Sequence, residues 1–149
     1  MADTLERLKI LLNSSTPIVV METAEEMRVI SMAAESIREQ ILQATSEEVP
    51  YSTTVLMDEF EEGKKLTRVS ATIYCEREGQ KAILIGKQGQ MLKKIGTAAR
   101  LQIEKIVGTR VFLELFVKVQ PGWRDSREFV DELDWRRQLE RLTTTASKP

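Results

Sequence analysis

From Arg68 to Cys75 hydrophobic and polar residues trade places at every step, with Val69, Ala71, Ile73 and Cys75 between Arg68, Ser70, Thr72 and Tyr74. Period-two alternation predicts a strand with one buried face. Tyr51 to Phe60 is also β-prone, with Thr53, Val55 and Met57 on one face, and only Glu61-Glu62-Gly63-Lys64-Lys65 separates the two stretches. So short a polar link predicts an antiparallel hairpin. Val111, Leu113, Leu115, Val117 and Val119 repeat the alternation as a third strand.

Between the second and third strands the period changes. Lys81 to Ile85 reads as a short helix, Gly86 to Gly89 as a tight loop and Gln90 to Val107 as a longer helix. Leu92, Ile95, Gly96, Ala99, Ile103 and Ile106 form one stripe of that helix, the face by which it packs. Gly108 fits a C-terminal cap. A crossover through two helices allows the third strand to lie parallel to the second. Pro121-Gly122 ends the sheet, and Ser126 opens a last helix to about Leu142, with residues 143–149 frayed.

Ahead of the hairpin, Leu5, Leu8, Leu11 and Leu12 have helical spacing, and Ile18-Val19-Val20-Met21 reads as a short buried strand. Thr23 with Glu26 forms a capping-box pattern, which starts a helix at Ala24 that runs to about Ala44. The opening is therefore helix, strand, helix. A lone hydrophobic strand there invites pairing, and Tyr74, Phe112 and Phe116 offer it an apolar surface on the outer sheet face. A homodimer through that strand and face is one arrangement this allows.

Composition narrows the chemistry. With 149 residues, 42% hydrophobic and 30% charged, the chain has the make-up of a globular protein with a real core. No apolar run approaches the roughly 20 residues of a membrane helix, so a cytoplasmic protein with no membrane partner is expected. Cys75 is the sole cysteine and there is no histidine, which removes the common zinc and haem ligand sets. No metal and no cofactor are expected. Any catalysis would rest on carboxylates, lysines or hydroxyls, without the side chain most used as a proton shuttle near neutral pH.

The net charge of −1 hides a strong asymmetry. Residues 1–62 carry 4 basic and 13 acidic residues, residues 63–118 carry 12 basic and 4 acidic, and the remainder balances. A basic block of +8 is either a solvated face or the footprint of a polyanion partner. The segment IGKQGQMLKKIG, residues 85–96, lies inside it. A nucleotide-binding P-loop needs GxxxxGK followed by a hydroxyl residue; here the glycines are three apart and no hydroxyl follows. A GxxG loop between two helices does something else. Without β-carbons, Gly86 and Gly89 let a nucleic-acid backbone approach, and the next helix offers its N-terminal amides to phosphate.

The stretches SIREQIL, EEVPYSTTV, RVSATIYCEREGQKAILIGKQGQMLKKIGTAAR and VFLELFVKVQPGWRD resemble, in identity and order, the C-terminal KH domain of the Era family of bacterial ribosome-assembly GTPases. The resemblance covers about residues 33–133. It implies an α+β, type II KH fold: a three-stranded mixed sheet with helices on one face, here carrying the N-terminal helix-strand-helix extension. It also implies single-stranded RNA, ancestrally the 3′ end of small-subunit ribosomal RNA, as partner. In that groove Gly86, Lys87, Gln88 and Gly89 would grip the backbone. Ile85, Leu92 and the rim of the Val111 to Leu115 strand would form the floor, and Lys93 and Lys94 would add phosphate contacts. Ile85 and Leu92 are core residues on either reading; Lys64, Lys65, Arg100 and Lys105 read as solvated.

Residues 1–32 depart from that family and are weakly similar to the helix-strand-helix opening of some AAA-type ATPases, without any ATP-contacting motif. The expected organisation is an extension over 1–32, a KH domain over 33–133 and a helical tail over 134–149. A truncated natural fusion or a chimera would both read this way, and a chimera is the preferred reading. No nucleotide hydrolysis is expected. The competing function is a protein-interaction or scaffold domain that keeps the KH fold without useful RNA affinity.

Overall fold

The computed structural model describes residues 17–46 and 48–132, with side chains described from residue 25 to residue 130. The helix expected at Thr4 to Leu12, the continuation of the last helix towards Leu142 and the tail after it lie outside the described residues.

Helix α1 spans Pro17–Ala44. The strand expected at Ile18 to Met21 is therefore not one, because these residues form the opening turns of the helix. Proline fits a first helical turn, where its missing N–H is not needed. Three β-branched residues lower helix propensity by only some tenths of a kcal/mol each, while every residue added to an existing helix gains a hydrogen bond. Thr23 and Glu26 consequently sit inside the helix, and Pro17 marks its start. With no strand at Ile18 to Met21, a homodimer by pairing of that stretch loses its basis.

Strands β1 (Thr54–Glu61) and β2 (Leu66–Cys75) form the expected antiparallel hairpin. The register shifts between Met57 and Glu59, so Asp58 is the extra residue of a bulge, and its Oδ2 accepts a hydrogen bond from the Thr72 hydroxyl at 2.6 Å. Helix α2 (Glu78–Ile85) and helix α3 (Gln90–Val107) then cross over to strand β3 (Arg110–Val119). β3 pairs parallel to β2, from Leu66 opposite Arg110 to Cys75 opposite Val119, and the sheet order is β1-β2-β3. α2 starts three residues earlier than the alternation suggests because the Gln80 side chain reaches back: its Oε1 accepts the N–H groups of Glu76 and Arg77 at 3.0 and 3.1 Å. Those amides would otherwise be orphaned at the helix start.

Ile30, Ala33, Ala34, Ile37 and Ile41 recur at helical spacing along α1 and meet Ile95, Ala99 and Ile103 of α3 above the sheet. Val55, Met57, Val69, Ala71, Ile73, Val111 and Val117 supply the sheet side of this core. Burying each of the isoleucine, valine and methionine side chains contributes about 1.5–3 kcal/mol, so this layer holds the crossover helices on the sheet. Cys75 is fully buried, and that burial pushes its thiol pKa up.

On the opposite sheet face, Tyr74 stacks edge-on against Phe129 of the short helix α4 (Arg127–Glu132), with ring centroids 4.7 Å apart. Before it, Trp123 donates its indole N–H to the Ser52 carbonyl at 3.0 Å, which fastens the turn after β3 to the entry of β1. Farther along the same face Phe112 and Phe116 remain about half exposed. Among the described residues no helix is long and apolar enough to cross a membrane.

Candidate nucleic-acid interface

The loop between α2 and α3 has a backbone that its sequence makes necessary. Gly86 adopts φ 75°, ψ 177°, a region essentially closed to residues with a β-carbon. A β-carbon there would also lie 2.6 Å from Cβ of Met91 and 2.8 Å from its nitrogen. Gly86 is thus required by the close approach of α2 to the first turn of α3. Gln88 (φ 57°) and Gly89 (φ 76°) follow in the left-handed region. Around Gly89 nothing lies within 4 Å of where a β-carbon would be, so its surface is bare. α3 begins directly after it with no side-chain cap, and its first amide, that of Gln90, donates to the Lys87 carbonyl within the loop.

Beside this loop runs an open groove of about 370 Å³. Gly89, Leu92, Lys93, Gly96, Thr97 and Arg100 form the α3 wall, and Leu113 and Leu115 the β3 wall. The walls are held together at one end by Glu104, whose Oε2 accepts the Val111 N–H at 2.9 Å. Its Oε1 receives Nη1 of Arg100 at 3.1 Å.

Of the residues expected at the site, Gly89, Leu92 and Lys93 line the groove. Lys87 and Gln88 are exposed on the loop that leads into it, and Lys94 is exposed on α3 beside Lys93. Ile85 is half-buried against the core and does not line the groove. On the strand, Leu113 and Leu115 form the rim, whereas Val111 is buried in the core. Gly96, Thr97 and Arg100 are further groove residues: the sequence pattern put Gly96 on the packing stripe and Arg100 among the solubilising charges, and gave no role to Thr97. Their signal was available in the spacing 89, 92–93, 96–97, 100, a second stripe of α3 adjoining the packed one. Lys87, Lys93 and Lys94 make no ion pair among the described residues.

A GxxG loop between two helices, next to a groove walled by the second helix and an edge strand of a mixed sheet, is the arrangement of a KH-type fold. The sequence profile of the KH domain matches residues 48–124, and the chain belongs to that family. Among curated relatives, it is 59% identical over 102 residues to the GTPase Era of Nostoc sp., covering 68% of this chain and 32% of that protein. It is 50% identical over 106 residues to the GTPase Era of Geobacter metallireducens, covering 70% and 36%. The chain thus spans about a third of the length of these relatives. Among solved structures, it is similar to Era in complex with MgGDPNP and nucleotides 1506–1542 of 16S ribosomal RNA. There the TM-score is 0.65 with 42% identity, over 69% of this chain and 35% of that one. Aquifex aeolicus Era bound to GDP and AlF4− matches with the same TM-score and identity, over 70% and 36%.

Proposed function

We propose that this chain binds single-stranded RNA in the groove between α3 and β3, as a KH module acting in the cytoplasm without nucleotide hydrolysis of its own. The observation that carries the reading is the bare Gly89 surface opening onto a groove flanked by lysines that make no ion pair among the described residues. Gly86 to Gly89 approach the backbone, Lys87, Lys93 and Lys94 neutralise phosphates, and Leu92, Leu113 and Leu115 offer apolar surface to bases. KH modules clamp about four nucleotides in this manner. The Era complex with 16S ribosomal RNA supports ribosomal RNA as the ancestral target, and hence a role in ribosome assembly.

Titration of the full chain with a single-stranded, pyrimidine-rich RNA across a salt series tests the reading. Binding weakens steeply with salt, as counterion release demands, and Lys87→Glu reduces it. Undetectable binding at low salt would falsify the proposal. A second reading, a protein-interaction domain that keeps the fold, draws on Phe112 and Phe116, which stand half exposed on the opposite sheet face. That reading predicts no RNA binding at low salt.

A further inference from the structure

The groove holds cations of two electrical kinds. Lys93, with Lys87 and Lys94 beside it, stands without a carboxylate among the described residues. Arg100 does not: Nη1 donates to Glu104 Oε1 at 3.1 Å, and the other oxygen of that carboxylate accepts the Val111 N–H at 2.9 Å. Glu104 therefore anchors the guanidinium to the start of β3 while compensating its charge. Arg100 lies eleven residues after Gly89 on the same groove wall, about 16 Å along the helix axis.

A compensated guanidinium attracts a phosphate less than a bare ammonium does. It keeps planar N–H donors that Glu104 does not use, in a fixed orientation, and such donors suit neutral acceptors on a base edge. Resting on the RNA-binding reading above, we infer that Arg100, positioned by Glu104, reads one base at the end of the groove remote from the GxxG loop, while Lys87, Lys93 and Lys94 hold phosphate. The base selected carries two adjacent acceptors, O6 and N7 of guanine or O2 and N3 of cytosine. Adenine and uracil set a donor beside the acceptor on the corresponding edges.

The test uses the full chain and fluorescein-labelled uridine hexamers in which one position at a time is changed to A, C or G, titrated at two or more salt concentrations. At one position, C or G binds about tenfold more tightly than A or U, and Arg100→Lys reduces that preference to about twofold with the salt slope unchanged. Glu104→Gln keeps an acceptor for the Val111 amide but uncovers the Arg100 charge, so selectivity falls while the salt dependence steepens. Binding without positional preference overturns the inference, as does an Arg100→Lys variant that weakens every hexamer equally and flattens the salt slope. A wild-type chain that binds no hexamer at low salt overturns the RNA reading itself, and is recognised as that separate result.

Discussion

Gly96 faces Leu115 across the groove, and a β-carbon added at Gly96 would meet only the Leu115 Cδ1, at 3.6 Å. That is ordinary van der Waals contact, so alanine fits the protein there. Alanine is also favoured over glycine within a helix by about 1 kcal/mol. Gly96→Ala is thus expected to leave the fold intact and raise its denaturant midpoint. In the same variant a methyl group enters the space a base would occupy, and RNA affinity falls. Increased stability with unchanged RNA affinity would remove Gly96 from the interface.

The two glycines of the loop separate on stability. Gly86→Ala forces a side chain into a glycine-only conformation against Met91, and a loss of at least about 1–3 kcal/mol is expected. Gly89→Ala meets no neighbour and carries only the left-handed strain, about 1–2 kcal/mol. Urea unfolding of the pair checks the ranking. For probing RNA contact, Gly89→Asp is therefore cleaner than a change at Gly86, because only the left-handed strain, and no clash with a neighbour, accompanies it.

Lys87 is exposed at the loop tip and free of any ion pair among the described residues. If it contacts one phosphate, Lys87→Ala lowers the slope of log K against log salt by about 0.7, the value per contact for single strands. The loss should be similar for all RNA sequences. A change in sequence preference with an unchanged slope would assign Lys87 to base recognition instead.

Cys75 lies with no exposed surface behind the sheet, and its burial favours the neutral thiol. Because the thiolate is the reactive species, a thiol reagent at pH 8 is expected to label the native chain far more slowly than the urea-unfolded chain. Equal rates in the two states would contradict the packing around β2 and β3.

The alternation of β2 and β3 and the crossover between them were legible because each side-chain position reports a face directly. The GxxG loop was legible for a similar reason, since few residues other than glycine tolerate its backbone. Gly96 was not, because a helical wheel shows that it belongs to the apolar side of α3 but not whether β3 covers that side. Arg100 with Glu104 four residues on reads as a solubilising surface pair; only the hydrogen bond from Val111, seven residues beyond Glu104, turns the pair into part of the groove wall. The helical start at Pro17 was hidden by a β-branched run whose local preference is weaker than the continuation of a long helix. At α2 the missing information was the Gln80 side chain, whose reach to Glu76 and Arg77 moves the boundary.

The bulge at Asp58 gives the sheet two unlike borders. On the β1 side it breaks the regular pairing, and Glu59 and Glu61 follow it along the outermost strand, a combination that discourages a neighbouring chain from adding a strand. On the β3 side, the outermost strand in the order β1-β2-β3, the ladder runs unbroken for ten residues beside the groove. Strand addition is thereby discouraged at the β1 margin, while the β3 margin is the one that borders the groove and is already tied to α3 through the Val111 N–H.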